Sequence, residues 1–191
     1  LKTLQDGKTN ILFVGRCAPN KHIEDLLRAF YFFQNFVEPD SRLIHAGSYT
    51  GLERYQAILA ARARNLGLND VVFAGSLSNA ELTACYKSAH LFLCMSEHEG
   101  FCIPLLESMA NDVPVVAFAA AAVPETMSGA GILVHTKQWD LIAELIGRLT
   151  GDAELRESVL RRQRQRLACY LERDLCRELL ERLKPLIMKP A

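Results

Sequence analysis

Two glutamates, Glu99 and Glu107, lie eight residues apart in the stretch Ser96–Glu107, which follows a short apolar run. The apolar run predicts a buried strand, and Pro104 opens a predicted helix, where its missing N–H costs nothing. Gly100 in the intervening loop lets the backbone approach a ligand closely, and free N–H groups at the start of a helix suit an anion. Two carboxylates beside an anion site favour recognition of hydroxyl groups next to a phosphate, as in a sugar nucleotide.

Two cations, Arg16 and Lys21, follow the first apolar run, Ile11–Gly15. Beside a helix start they would bind a diphosphate and stabilise the charge that builds on it as a leaving group. The alternative is that both are solvated surface cations. The chain has neither GxGxxG after this run nor GxxxxGK[ST] anywhere, which disfavours a nicotinamide, a flavin or a P-loop.

The acidic and histidine side chains near the loop leave several roles open. Glu107 belongs to an otherwise apolar helix, where hydrogen bonds from a ribose diol would satisfy its carboxylate. The alternative is stabilisation of the helix dipole by acidic residues, worth under about 1 kcal/mol, and Glu97 is the better candidate for that role. His98 contacts a substrate, tunes the neighbouring glutamate or is a polar loop residue. His45 and His90, at strand ends, are expected to be structural.

Apolar runs alternate with helical patterns along the chain, which predicts a Rossmann-like, doubly wound parallel α/β sheet of about six strands with a helical C-terminal extension. The predicted strands are Ile11–Gly15, Arg42–Gly47, Val71–Gly75, Leu91–Met95, Val113–Phe118 and Gly131–Val134. Predicted helices cover about Lys21–Phe36, Leu52–Leu66, a segment capped by Ser78 and Glu81 that runs through Tyr86, a segment from Pro104, Val123–Thr126, Trp139–Leu149, a segment from Asp152, and Leu175–Leu183 with Pro185 as its end.

This topology predicts that the loops after the strands meet at one sheet edge, where ligands bind in open α/β sheets. The loops are Arg16–Lys21, Gly47–Gly51, Gly75–Ser78, Glu97–Phe101 and Ala119–Ala122.

The composition limits the classes of function. The chain has 191 residues and a formal net charge of +0, which gives no overall electrostatic reason to bind nucleic acid or an anionic membrane. The run Arg161–Arg166 is interpreted as a solvated helix face. The six cysteines form no CxxC pair and are expected to be free thiols in a reducing cytosol. No stretch has the apolar length of a membrane span and no signal peptide is visible, so we expect a cytoplasmic protein.

An ordered set of stretches resembles the C-terminal, donor-binding domain of GT-B, family-4-type retaining glycosyltransferases. The resemblance covers about residues 10–150 and is carried by Phe13–Arg16 with Lys21, Val72–Ser78, Ser96–Glu107, Val113–Ala117 with Pro124-Glu125, and Gly131–Val134. Residues 1–10 are then an incoming linker and residues 11–184 the donor-binding domain, while the N-terminal acceptor domain of such enzymes is absent from the chain.

The resemblance implies a role for each matching position. Arg16 and Lys21 would hold the donor diphosphate and, with Glu99, form the catalytic set. Glu107 would bind the ribose, and Glu99 with the backbone of residues 100–103 would hold the sugar and the distal phosphate. Phe73, Gly75 and Leu77 would line the base pocket. The whole implied donor-binding set is Gly15, Gly47, Phe73, Gly75, Leu77, His98, Gly100, Phe101, Cys102, Ile103 and Glu107.

The resemblance also implies an activity. Such enzymes transfer a hexose, of mannose or glucose type, from a GDP- or UDP-sugar to a glycan or lipid-linked acceptor, as in cell-envelope polysaccharide synthesis. They retain the anomeric configuration and need neither a metal nor another cofactor. Contact with the inner face of a membrane would be made through the missing half, and the fragment alone is expected to be inactive. The competing interpretations are a sugar-nucleotide-binding module without transferase activity and a GT-B-like epimerase or phosphorylase.

Three positions depart from the pattern of the family. Ala121-Ala122 stands where a Gly-Gly pair is frequent, Cys102 where Gly is frequent, and Asn111-Asp112 where Cys-Gly or a similar pair is frequent. Each departure adds a side chain where the backbone often approaches closely, and the first two are expected to narrow the donor pocket.

Overall fold

Six strands form a single parallel sheet in the computed structural model, which describes residues 4–187. Their bounds are β1 Thr9–Val14, β2 Ser41–Ala46, β3 Val71–Gly75, β4 Leu91–Cys94, β5 Val115–Phe118 and β6 Ile132–Val134. The order across the sheet is β3-β2-β1-β4-β5-β6, and every neighbouring pair is parallel. The predicted doubly wound sheet is therefore confirmed.

Eight α-helices connect and cover the strands within the described residues. They are α1 Ile23–Phe36, α2 Glu53–Asn65, α3 Asn79–Ser88, α4 Ile103–Ala110, α5 Val123–Met127, α6 Trp139–Gly151, α7 Ala153–Leu171 and α8 Leu175–Ile187. Helix α1 packs against α6, and α7 packs against both α4 and α6. Because both faces of the central strands are covered, β4 is buried throughout, which explains its continuous apolar sequence.

Local sequence signals account for several element ends. The predicted capping box forms: the Glu81 N–H donates to Ser78 Oγ at 3.3 Å, and the Ser78 N–H donates to Glu81 Oε2 at 2.8 Å. Strand β5 begins two residues later than predicted, because Val113 is hydrogen-bonded outside the sheet. Its N–H donates to the Ser108 carbonyl, and its carbonyl accepts from the Gln163 side-chain amide. These two bonds hold Val113 at the end of α4 instead of in the sheet.

Two helix boundaries differ from the prediction. Lys21 lies in a short 3-10 helix, Pro19–Lys21, and α1 begins only after His22, whose left-handed φ of 48° separates the two. Pro185 does not end α8, which continues to Ile187. A proline removes a single backbone donor, and so close to the end of a helix this loss breaks little of the hydrogen-bond ladder.

The arginine-rich run on α7 is mostly solvated, as expected, but Gln163 and Arg166 also contact neighbouring elements. Gln163 is fully buried; its amide donates to the Val113 carbonyl and its carbonyl accepts from the Val115 N–H, both at 2.9 Å. Arg166 donates to the carbonyls of Glu125 and Thr126. The run therefore fastens α7 to β5 and α5.

The strand order reverses between β1 and β4, which are neighbours in the sheet. Loops that leave the carboxyl ends of these two strands diverge to opposite sides and open a crevice, the usual ligand site of this topology. The Arg16–Lys21 loop and the Glu97–Phe101 loop flank this crevice. Within residues 4–187, no helix combines the length and apolar character required to cross a bilayer.

Candidate functional site

The centre of the crevice is an ion pair between Lys21 and Glu99. Lys21 Nζ lies 2.6 Å from Glu99 Oε2, and the two side chains are 20% and 7% exposed. Lys21 reaches this point from the 3-10 turn after β1, and Glu99 from the loop after β4. The structure thus joins a predicted phosphate ligand and a predicted sugar ligand across 78 residues of sequence.

Arg16 is exposed at the mouth of the same crevice. Its Nη2 donates to the Thr50 carbonyl at 3.1 Å, so that the side chain spans the loops after β1 and β2. A guanidinium has five N–H donors, and this contact uses one nitrogen. Arg16 is therefore anchored and still presents charge to the crevice.

Gly47 allows the backbones after β1 and β2 to come together. A Cβ added to Gly47 would lie only 1.9 Å from the Gly15 carbonyl oxygen. Backbone bonds of 2.9 Å hold both sides: the Gly15 N–H donates to the Ala46 carbonyl and the Gly47 N–H to the Gly75 carbonyl. No side chain fits at Gly47, and the loop that carries Arg16 is fixed from its first residue.

His45, predicted to be structural, also fixes this loop. It is 1% exposed, its ring stacks on Phe13, and its Nε2 lies 2.9 Å from the Gly15 carbonyl oxygen. This contact fits the neutral tautomer that carries its proton on Nε2. Burial lowers the pKa of His45, and the bond to Gly15 opposes that effect only in part.

We expect the free energy of unfolding to fall when the pH drops below about 6.5, the ordinary histidine pKa. The unfolded chain binds a proton there, while folded His45 stays neutral until its own lower pKa is reached, so acid favours unfolding. Urea unfolding of the protein and of His45→Gln between pH 7 and pH 5 measures the effect. The variant should lose a smaller part of its stability over this range, and parallel curves would contradict the assignment.

Glu107 has a partner within the protein. The Tyr86 hydroxyl donates to Glu107 Oε2 at 2.7 Å, and both burial and this carboxylate raise the pKa of Tyr86. Glu107 therefore has one hydrogen-bond partner without a ligand, and Tyr86 orients the carboxylate; a contact with a ribose stays a prediction. Sequence reasoning missed Tyr86 because it belongs to the preceding helix, 21 residues away.

The loop before α4 exposes Gly100 and Phe101. Cys102 adopts a left-handed conformation with φ 62°, which favours glycine over other residues, and it is 7% exposed. Ile103 is the first residue of α4 and is 61% exposed. Around Gly100 the protein leaves open space, so a ligand has room to approach it. His98 is exposed, and its carbonyl accepts from the Asn20 amide at 3.3 Å.

Lys137 lies at the centre of an ion-pair network beside the crevice. Lys137 Nζ lies 2.6 Å from both Asp25 Oδ2 and Glu97 Oε1, and His22 lies 3.4 Å and 3.2 Å from the same two carboxylates. Lys137 lowers the pKa of Glu97. The structure therefore corrects the helix-dipole role expected for Glu97: its carboxylate is one side of an ion-pair network that joins the loops after β1, β4 and β6.

The three residues predicted to line a base pocket separate into two groups. Phe73 meets the His45 ring edge-on at 5.8 Å, and Gly75, with φ 68°, lies against the Tyr49 ring. Leu77 instead lines an apolar cavity of about 210 Å³ together with Val72 and Ala74. Successive side chains of a strand point to opposite faces, so Phe73 and this cavity lie on different sides of β3.

A cavity of about 430 Å³, which was not predicted from the sequence, opens beside the loop before α4. Phe101 meets the Tyr170 ring edge-on at 5.6 Å, and the Arg166 guanidinium lies 4.4 Å above that ring. The cavity brings together the loop before α4, helix α5 and helix α7; its lining residues are Gly100, Phe101, Ala122, Glu125, Thr126, Arg166, Cys169, Tyr170 and Arg173.

The chain belongs to the glycosyl transferases group 1 family, whose profile matches residues 2–166. It is 35% identical over 112 residues to a GDP-mannose-dependent alpha-mannosyltransferase of Mycolicibacterium smegmatis, an alignment that covers 59% of this chain and 26% of the relative. It is 34% identical over 160 residues to an uncharacterized glycosyltransferase of Methanocaldococcus jannaschii, with 82% and 40% covered. The chain thus spans less than half the length of these relatives.

Solved structures share the fold. A glycosyltransferase from Rickettsia africae superposes with a TM-score of 0.83 at 18% identity, over 98% of this chain and 50% of that one. The C-terminal domain of a glycosyl transferase group 1 family protein from Francisella tularensis superposes with a TM-score of 0.72 at 24% identity, over 88% of both chains. The family and the fold expected from the resemblance are confirmed.

Proposed function

We propose that this chain binds the nucleotide-diphosphate sugar of a retaining, metal-independent hexosyltransferase. The observation that carries the proposal is the Lys21–Glu99 pair, at the switch point of the sheet and beside Arg16. Mannose is the first sugar to test and GDP the first nucleotide, because a relative of this chain is named as GDP-mannose-dependent.

In the proposed mechanism, the donor replaces the internal ion pair by two intermolecular contacts. Lys21 turns to the diphosphate, and Glu99 accepts hydrogen bonds from the sugar hydroxyls. With Arg16, Lys21 then stabilises the negative charge that the diphosphate gains as the bond to the sugar breaks. Two cations supply this stabilisation without a divalent ion. Glu99 positions the sugar, and the cleft of residues 100–103 offers backbone N–H groups to the distal phosphate.

Transfer itself requires an acceptor site, which we assign to a further domain outside this chain. We propose a glycan or lipid-linked acceptor, a cytoplasmic location and membrane contact only through that domain. The chain alone would then bind the donor and transfer sugar poorly. A transfer assay with GDP-mannose, comparing this chain with a longer protein that contains it, separates a transferase from a binding module: only a transferase yields mannosylated acceptor.

Calorimetric titration with GDP, UDP and ADP tests the proposal. At least one diphosphate should bind, and Arg16→Ala should weaken it because a charged hydrogen bond to phosphate is lost. Arg148→Ala, an exposed arginine of α6 that pairs only weakly with Glu144 at 3.9 Å, is the matched control and should bind as the original chain does. Absence of binding by all three nucleotides at millimolar concentration would refute the proposal.

Glu107→Ala should weaken the binding of the nucleoside diphosphate by about 1–3 kcal/mol, because the ribose hydroxyls lose their acceptor. Tyr86→Phe removes the hydrogen bond to Glu107 and leaves the carboxylate in place, so it should cost less affinity. Calorimetry on both variants measures the difference. Equal losses would mean that Tyr86, and not a ribose contact of Glu107, accounts for the effect.

A further inference from the structure

Two thiols and a carboxylate come together at the crevice. Cys94 Sγ, Cys102 Sγ and a carboxylate oxygen of Glu99 all lie within 4.8 Å of one another. The three residues are buried, at 0%, 7% and 8% exposure. Neither thiol has a role in the proposed sugar transfer, and both cysteines are free. The two thiols are therefore ligand atoms to which the proposed donor site gives no role.

The backbone holds this cluster in place. Cys94 is the last residue of β4, which is hydrogen-bonded on both sides by β1 and β5. Cys102 caps α4 in a left-handed conformation, and its Sγ lies within 4.8 Å of Cys94 Sγ. Glu99 lies between them in the connecting loop. The three ligands thus belong to a single strand–loop–helix unit, and no large movement is needed to bring them around one ion.

The chemistry of the ligand atoms selects the ion. Thiolates bind thiophilic cations such as Zn²⁺ and Cd²⁺, and a carboxylate completes many such sites. Ligand atoms around a tetrahedral Zn²⁺ lie about 3.5–3.8 Å apart, as its bond lengths require. Separations within 4.8 Å are compatible with that arrangement after small side-chain rotations.

We propose that Cys94, Cys102 and Glu99 form a binding site for a thiophilic divalent cation. The cation takes the place of the two thiol protons, which are released to solvent, and a water molecule fills the fourth position. The ion competes with Lys21 for Glu99, because Lys21 Nζ lies 2.6 Å from the same carboxylate. If the proposed function holds, this competition makes the cation an inhibitor of donor binding and not a cofactor.

A second cluster of metal-ligating side chains already binds positively charged side chains of the protein. His22, Asp25 and Glu97 also lie within 4.8 Å of one another, but Lys137 already bridges the two carboxylates. Arg28 adds a further contact of 2.6 Å to Asp25. A cation there would have to displace both Lys137 and Arg28, whereas a cation at the thiol cluster displaces Lys21 from Glu99.

Cadmium titration tests the site without any nucleotide. The chain should carry Cys169→Ser and Cys176→Ser, because these two cysteines are exposed and would bind Cd²⁺ themselves. We expect a near-ultraviolet absorption band of cadmium–thiolate bonds that saturates at one ion per chain. Cys94→Ser and Cys102→Ser should each abolish the saturating band, and the buried Cys85→Ser should leave it unchanged. Absence of the band in the starting chain, or its persistence in either cluster variant, would overturn the proposal.

Two further variants test the competition and the fold. Glu99→Gln should weaken Cd²⁺ binding by at least about tenfold, the smallest loss typical of an outer-shell partner, because a direct ligand loses its charge. Lys21→Met should strengthen the binding, because the competing ammonium is removed. Cys102→Gly removes the thiol but suits the left-handed backbone at φ 62°, so it guards against a folding defect of the serine variant. The band should be absent in Cys102→Gly as well. Tighter binding in Glu99→Gln, or weaker binding in Lys21→Met, would exclude Glu99 as a ligand.

Discussion

Lys21→Met is expected to lower the free energy of unfolding by about 3 kcal/mol at neutral pH, because it leaves the buried carboxylate of Glu99 without its counter-ion. This loss of stability lies at the lower end of the range for broken buried ion pairs, because Lys21 is one-fifth exposed and water partly reaches it. Urea unfolding measures the change. The same variant should lose most of its affinity for a nucleoside diphosphate, because the lysine is the proposed phosphate ligand.

A double-mutant cycle measures the interaction energy of the Lys21–Glu99 pair. Glu99→Gln combined with Lys21→Met removes both charges and should be more stable than Lys21→Met alone, because no unpaired charge remains. Arg177→Met is the control, since Arg177 pairs with Glu181 on the exposed face of α8 and its loss should cost about 0.5 kcal/mol. If Lys21→Met costs no more than this control, the buried pair contributes no more to stability than an exposed ion pair does.

Gly47→Ala is expected to destabilise the fold by at least about 3 kcal/mol, because the added methyl group would overlap backbone atoms. Its Cβ would lie 1.9 Å from the Gly15 carbonyl oxygen and 3.2 Å from the Arg16 amide nitrogen. The clash has no simple relief, since ladder hydrogen bonds hold both segments. Thermal unfolding should show a lower midpoint, and binding of the diphosphate should weaken because Arg16 is displaced.

Gly151→Ala is the matched control for this substitution. Nothing lies within 4 Å of a Cβ at Gly151, which is the last residue of α6. The variant should be as stable as the original chain or slightly more stable, since alanine favours a helix over glycine. Similar losses in both variants would show that the close approach at Gly47 does not control the stability of the fold.

The fold was predictable because each strand carries its own signal. Apolar runs that end in glycine marked β1 and β3, a mixed run that also ends in glycine marked β2, and the capping box at Ser78 marked the start of α3. The placement of Arg16, Lys21 and Glu99 at one edge followed from the topology alone. Errors were confined to ends of elements, where a single side-chain bond such as that of Gln163 decides the boundary.

The supporting contacts of the site were not predictable from spacing. Lys137 lies 112 residues from Asp25 and 40 from Glu97, so nothing in the local sequence connects them. Tyr86 reads as an apolar helix residue, and only the packing of α3 beside α4 gives Glu107 its hydrogen bond. The cavity beside Phe101 depends on α7, whose arginines were interpreted as solvent-facing. Long-range packing, and not residue type, determines all three.

The proposed donor site is tested most directly by locating the residues that a nucleoside diphosphate contacts. Backbone amide NMR spectra, recorded during a GDP titration, report the change in chemical shift of each residue. The largest shifts should fall on residues 15–21 and 99–103, in the two loops that flank the crevice between β1 and β4. Shifts centred on the cavity beside Tyr170, or on the apolar cavity beside Leu77, with the crevice unaffected, would contradict this prediction.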